Sequence, residues 1–435
     1  MLWLGVWMSC TLWNSPKDST PPKPSILFLV SDTTRADAFQ TVDTPNLDAL
    51  GASEKGQVIE MAFAPSSWTS PSVLSMFTGQ SVREHGWDYP IAQEMIRNRM
   101  EYPAISTESQ TLAEVLGAAG YQTRGYIANR FLIRDLGFSR GFEEWQYMTD
   151  EELPPKVLKE FSIADVGESH FFYVHFFGPH QPLRPTAQRV QKYEIYEAIF
   201  GEKGLGFRFM KEDDDNIPIY KSVYDAVLED TDERMGLVIN AFLERFPDGR
   251  IVMTSDHGEM IGEHDEIGHK SGLYQELIHV PLIVYGDAER RIGPLFSLTS
   301  IADWLTDSVG VSAEWDAQWE PYAVSATTEP VVVSQRDGDV AFIRADRQKL
   351  VVDYPMTIQN GHFFQGTPKT YVFALSKDPK ELRPLENEEL ETELWQQLEE
   401  WQEQREPGIA DGYTNQTNRA FIKDLRKLGY VSDGK

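Results

Sequence analysis

The sequence predicts an α/β protein: a large, mostly parallel sheet flanked by helices, followed by a small α+β unit with an antiparallel sheet. Three observations carry this expectation. Short continuous apolar runs end in Asp, His or Gly, helical patterns lie between them, and the texture changes after about Pro330 to closely spaced strands.

The first run, Ser25-Ile-Leu-Phe-Leu-Val30, is entered through Pro24 and left through Ser31-Asp32, so it reads as a buried parallel strand with Asp32 at its carboxyl end. Phe171-Phe-Tyr-Val-His175 leads into Gly178-Pro-His180, and Arg250-Ile-Val-Met-Thr254 leads into Ser255-Asp256-His257. Val280-Pro-Leu-Ile-Val-Tyr285 has the same form and is expected to be a fourth parallel strand. Open α/β sheets bind ligands at the carboxyl ends of their strands, where these polar residues fall. Between the runs, Thr111 to Gly120 starts with a capping threonine and ends at a glycine stop, and Val223 to Phe246 carries apolar residues at helical spacing. In the last quarter, Val331–Gln335, Val340–Arg344, Lys349–Asp353 and Thr370–Ala374 suggest a meander. A helix with Leu390, Leu394, Leu398 and Trp401 on one side follows it. The expected division is 1–23 as N-terminal segment and tether, 24–329 as catalytic domain, and 330–435 as C-terminal subdomain.

Composition narrows the partners. Of 435 residues, 68 are Asp or Glu and 40 are Lys or Arg, a formal net charge of −28, which argues against a nucleic acid or an anionic lipid surface. An anionic substrate would therefore need a site made positive locally, by a metal and a few basic side chains. The single cysteine, Cys10, excludes an intramolecular disulfide. The apolar stretch Met1 to Cys10, followed by a Pro/Ser/Thr/Lys stretch, resembles the end of a bacterial lipoprotein signal without its basic start. That expects a membrane tether through a lipid on Cys10 and an exported, periplasmic or cell-envelope protein; an incidental Cys10 leaves it cytoplasmic.

Four constellations can carry chemistry. Asp32, in Ser-Asp32-Thr33-Thr-Arg35-Ala-Asp37, offers hard oxygen to a divalent cation, or a helix cap. In Thr69-Ser-Pro71-Ser72-Val73, the threonine is expected to precede a helix running from Pro71, where it caps the helix or meets an anion at its N-terminus. Asp256-His257 is a usable metal pair with His269-Lys270 downstream, and His180 lies at another strand end. His85 and His175 read as structural, Asp225 and Asp232 as helix contacts, and Trp395 and Trp401 as packing residues. Asn129 follows an expected strand and stays open, and Asn415-Gln-Thr417 is a chance-level glycosylation pattern.

In their joint order these motifs resemble the sulfatase family of the alkaline-phosphatase-like superfamily. Leu112 to Thr123, Gly137 to Phe142 and Leu425 to Val431 add to the likeness. The resemblance implies an α/β sandwich with a small C-terminal domain, one divalent metal (Ca, Mn, Mg or Zn), an anionic ester substrate and a covalent intermediate. Carried over by position, Asp32, Thr33, Thr69, Asp256 and His257 form the metal set, and Thr69 is the nucleophile. Ser72, His180, His269 and Lys270 face the substrate, with His180 and Lys270 also catalytic. Three positions depart from the family pattern. Thr69 stands where a formylglycine precursor is usual, Val73 replaces an Arg, and Thr33 replaces the second Asp of an Asp-Asp pair. A formylglycine hydrate expels sulfate with its second hydroxyl, and threonine has only one, so the expectation shifts from sulfate toward phosphate or phosphonate esters. The alternatives are a formylglycine-independent sulfuric ester hydrolase and a non-catalytic metal-containing binding protein.

Overall fold

The computed structural model describes residues 21–88, 102–104, 106, 108–132, 136–201, 216–269, 271–286, 291–315, 331–354, 356–359, 362–408 and 411–413. Cys10, Lys270, Asn415 and the Leu425 to Val431 motif lie outside them.

Seven strands make the large sheet: β1 (Ile26–Ser31), β2 (Gly56–Val58), β3 (Gln122–Ile127), β4 (Glu144–Tyr147), β5 (His170–Phe176), β6 (Arg250–Thr254) and β7 (Leu282–Tyr285). Their order is β2-β7-β6-β1-β5-β3-β4. Neighbours from β6 through β4 are parallel, so the polar residues after β1, β5 and β6 meet at one edge. The fourth apolar run is a correction: β7 pairs antiparallel with both β6 and β2. A buried apolar run does not encode its own direction, and Tyr285 therefore ends away from that edge.

The central strand is buried on both faces, which is why its run does not alternate. Ile26, Phe28 and Val30 join one apolar cluster, whereas Leu27 and Leu29 join another. Helix α1 (Thr69–Thr78) packs in the first cluster through Val73, Leu74 and Phe77. Helices α2 (Leu112–Ala118) and α3 (Leu153–Ile163) lie on opposite faces, with Leu112 in the first cluster and Phe161 in the second. Helix α4 (Ile217–Arg245) covers the second face with Met235, Val238 and Phe242. It starts six residues before the apolar spacing shows, with proline in its first turn. Thr111 and Glu114 form a reciprocal capping box at the start of α2, as the sequence anticipates.

A second sheet is antiparallel throughout: β8 (Val331–Arg336), β9 (Asp339–Arg344), β10 (Gln348–Asp353) and β11 (Lys369–Ala374). Helix α5 (Glu388–Glu403) covers it with Leu394 and Leu398, and Trp395 and Trp401 pack at the margin. Among the described residues no helix is long and apolar enough to cross a membrane.

Candidate active site

Register assembles the site. Val30 pairs with His175 on one side and Thr254 on the other, so Asp32, His175 and Asp256 come to the same sheet edge. Side chains alternate along β5, and Tyr173 points into the cluster that holds α1. His175, two residues on, turns the same way.

The donor atoms of Asp32, His175 and Asp256 lie within 4.8 Å of one another. His175 Nε2 is 3.4 Å from Asp32 Oδ2 and 3.9 Å from Asp256 Oδ2, and His257 Nε2 is 3.7 Å from Asp32 Oδ1. The sequence reading of His175 as merely structural is therefore corrected: strand parity, invisible in a single run, brings it to the two carboxylates. His85 does keep a structural place, between Ser75 Oγ at 3.0 Å and the Trp87 amide at 3.0 Å. Asp225 pairs with Lys221, and Asp232 accepts from Asn46 and Leu47, as helix contacts do.

Thr69 faces this group. Its Oγ1 is 3.2 Å from His257 Nε2 and accepts from Asn129 Nδ2 at 3.3 Å. Asn129 Nδ2 also donates to Asp32 Oδ2, so a residue left open by the sequence ties the carboxylate to the hydroxyl. The expected cap is corrected: Trp68 is the N-cap of α1, and Thr69 sits inside the first turn, whose amides lack intrahelical partners. Ser72 is corrected too. Its Oγ donates to Ser66 O at 2.9 Å and accepts from Ser66 N at 3.2 Å, fixing the chain before α1 instead of meeting a substrate. Val73 is fully buried in the core, so no charged group stands there.

The imidazoles line the opposite side. The His269 ring lies 4.5 Å from that of His257 and 5.0 Å from that of His180, and its Nδ1 is 3.3 Å from Glu259 Oε2. Arg336, at the end of β8, donates to Ser67 O at 2.8 Å and His269 O at 2.6 Å, so the second sheet reaches the site. The sequence offered one signal for it, an arginine closing an apolar strand.

Backbone shape sets these groups. Thr33 adopts φ 55°, which a β-branched residue rarely tolerates. Its carbonyl accepts from Tyr224 Oη at 2.7 Å and its amide donates to Asp256 Oδ1 at 3.3 Å. Gly178 has φ 49°, and a Cβ there would sit 2.9 Å from Ser31 Oγ, beside the turn that carries Asp32.

A divalent cation fits this donor set. Asp32 Oδ1, Thr33 Oγ1 and Asp256 Oδ2 have no hydrogen-bond partner among the described residues, although all three residues are 0% exposed. Leaving such groups unpaired is costly, and hard oxygens beside imidazole are what a divalent ion accepts. Burial and then the Asp256 charge push the Asp32 carboxyl well above the usual carboxylate range. A bound cation would reverse that. His257 Nδ1 donates to Gly258 O at 2.8 Å, which leaves the Nε2 lone pair toward Thr69 and the carboxylates.

An α/β sandwich with a buried cation cradle at its strand ends, facing a helix-borne hydroxyl, is the alkaline-phosphatase-like class. Within it the chain belongs to the sulfatase family, whose sequence profile matches residues 24–291. The uncharacterized sulfatase YidJ of Escherichia coli is 24% identical over 62% of this chain, which spans 64% of that relative's length. The low-salt glycan biosynthesis sulfotransferase Agl7 of Haloferax volcanii is 22% identical over 75% of this chain and 76% of its own. The solved phosphonate monoester hydrolase of Agrobacterium radiobacter superimposes with a TM-score of 0.66 at 17% identity, over 88% of this chain and 96% of its own.

Proposed function

We propose that this protein is a metal-dependent hydrolase or transferase of anionic esters with Thr69 as its nucleophile, phosphate and phosphonate esters being favoured over sulfate. One observation carries the reading: Thr69 Oγ1 lies at the start of a buried helix, 3.2 Å from His257 Nε2, beside two carboxylates with unpartnered oxygens.

Asp32, Asp256, His257 and His175 would hold the cation, with the hydroxyls of Thr33 and Thr69 at its border. When bound it supplies Lewis acidity, lowering the cost of deprotonating a hydroxyl and offsetting the negative charge of the carboxylates. The residues of the chain do the rest. Asn129 fixes the Thr69 oxygen, and the first turn of α1 favours an anion in front of it. Thr69 Oγ forms a bond to phosphorus as the ester P–O bond breaks, and the Thr69 proton ends on the departing oxygen, which leaves as an alcohol. Water or an acceptor alcohol then attacks phosphorus, the Oγ–P bond breaks, and the attacker's proton returns to Thr69.

His180 and Lys270 are assigned to the charge on the nonbridging oxygens. His180 Nδ1 donates to Gln181 O at 2.5 Å, so Nε2 carries no hydrogen in the neutral ring. Burial pulls the His180 pKa down to about 3 in the cation-free, substrate-free protein. His180 therefore acts as a donor when it takes up a proton together with the anion.

The test compares aryl phosphodiester, phosphonate monoester, phosphomonoester and aryl sulfate substrates with Mn²⁺, Ca²⁺, Mg²⁺ or Zn²⁺. Wild type should turn over a phosphoester, and Thr69→Ala should lose at least about 10³-fold in kcat. Turnover that survives in Thr69→Ala rejects the nucleophile. Sulfuryl transfer is the second reading, supported by the sulfotransferase relative that matches three quarters of each chain. Sulfate turnover lost in Thr69→Ala, without phosphoester turnover, selects it.

A further inference from the structure

Away from the cradle, two buried side chains face each other without touching. Glu276 lies in the short helix Gln275–Ile278, and its Oε2 has no hydrogen-bond partner among the described residues. His264 Nε2 lies 3.9 Å from that oxygen and is equally unpartnered there. The two side chains are only 13% (His264) and 5% (Glu276) exposed. A gap of 3.9 Å is too long for a hydrogen bond, and each buried orphan costs free energy.

Both groups are held where they are. The His264 ring is stacked on Tyr274, with centroids 3.8 Å apart and planes 16° from parallel. His264 and Asp265 take φ values of 53° and 59°, two consecutive left-handed residues that are not glycine. The Glu276 carbonyl accepts from Glu259 N at 3.1 Å, and a Cβ on Gly258 would sit 2.0 Å from that carbonyl.

The neighbouring cations are already matched. Arg35 pairs with Asp37 at 2.7 Å and Glu263 at 2.8 Å, and Lys349 pairs with Glu381 at 2.6 Å. Glu276 also lines a cavity of about 590 Å³, between Ala36–Phe39 and Arg347 and Leu375 of the second sheet, so a small ion can enter.

We propose that Glu276 Oε2 and His264 Nε2 are ligands of a second divalent cation, of the transition type that accepts imidazole, such as Zn²⁺. Donors 3.9 Å apart can both lie about 2.1 Å from one ion, and water from the cavity completes its shell. This site shares no ligand with the cradle and is independent of the Thr69 chemistry. Its ligands flank the segment after His257. Gly258 N and Glu259 N donate to Leu277 O and Glu276 O at 2.7 and 3.1 Å, and Arg35 Nη1 donates to Glu259 O at 3.1 Å. An ion here braces the turn that carries His257 and takes no part in the reaction.

The test counts Zn²⁺ on the chelator-stripped full-length protein, by equilibrium dialysis and metal analysis at an ionic strength that screens surface carboxylates. Wild type should bind two equivalents. A cradle variant, Asp32→Asn with His257→Ala, should keep one. Glu276→Gln and His264→Asn, the latter suited to a left-handed turn, should keep the cradle equivalent, which shows that they are folded. Each should bind the other equivalent at least about tenfold more weakly, since even outer-shell changes cost that much. One equivalent in wild type, lost in the cradle variant and kept in Glu276→Gln, would mean that water alone bridges the pair, and overturns the proposal. Two equivalents that persist in both Glu276→Gln and His264→Asn would overturn it as well, and no bound Zn²⁺ at all would overturn both sites. One equivalent lost in Glu276→Gln but kept in the cradle variant would support this site and count against the cradle.

Discussion

At the carboxyl ends of β1 and β6, Asp32 and Asp256 are completely buried, each with one oxygen left unpartnered among the described residues. At the contact between the two sheets, the Lys349 and Glu381 side chains are equally buried, but as an ion pair at 2.6 Å. Lys349 Nζ also donates to Leu273 O at 2.6 Å, and Glu381 Oε2 accepts from Gln275 N at 2.7 Å. Both places take charge out of water. In one the charges are alike and incompletely satisfied, and in the other they are opposite and held by backbone groups. A fold alone has no use for the first arrangement, because two like charges in a low dielectric repel. It becomes reasonable once a cation is part of the structure. The second arrangement offsets its own charges without any ligand, and it joins the small sheet to the loop that follows the site histidines.

The largest test of this contrast removes one member of the satisfied pair. Lys349→Met should destabilise the protein by about 3–5 kcal/mol, since it strands the Glu381 charge. Thermal unfolding of Lys349→Met combined with Glu381→Leu should recover most of the loss. No recovery would mean that Lys349 acts through packing and not through its charge.

At the unsatisfied site the sign should reverse. Asp32→Asn removes one of two like charges and should raise the melting temperature of the cation-free protein by about 1–3 °C. The same change should abolish the stabilisation that added Mn²⁺ or Ca²⁺ gives the wild type. His175→Gln should keep the fold and weaken cation affinity by about 10-fold or more, measured by titration. An Asp32→Asn protein less stable than the cation-free wild type would show that the carboxylate is structural, and the contrast would fail.

The smallest effect concerns Glu276, beside the Arg35–Glu263 pair. Burial lifts its carboxyl from the usual range to about 7. A carboxyl with a raised folded pKa favours the folded state while protonated, so its contribution should fade as pH rises from about 4.5 to 7. Glu276→Gln should therefore melt higher than wild type at pH 8, and the difference should shrink toward pH 5. A difference that grows toward pH 5 would contradict the assigned direction.

Much of the site could be read from the chain because its residues follow strands. Asp32, Asp256, His257 and His180 come directly after apolar runs, and α/β sheets place such residues at one edge. Thr69 could be placed near a helix start from the proline two residues on. The residues that were missed reach the site through pairing and packing. His175 looked like part of its strand because only the register with Val30 and the parity of β5 show where it points. Asn129 and Arg336 arrive from β3 and from the second sheet, and neither is near the site in sequence. The antiparallel direction of β7 was equally hidden.

The sequence by itself determined the class: apolar runs that bury strands on both faces, and a motif order that belongs to the sulfatase family. It also set what position 69 can offer, since a threonine has one hydroxyl wherever it lies. Tertiary structure decided what that hydroxyl meets. It placed Ser72 on the Ser66 backbone, brought His175 to two carboxylates, and set His264 against Glu276. Identity and local pattern are properties of neighbouring residues, whereas a cradle or a cavity is defined by distances between residues far apart in the chain.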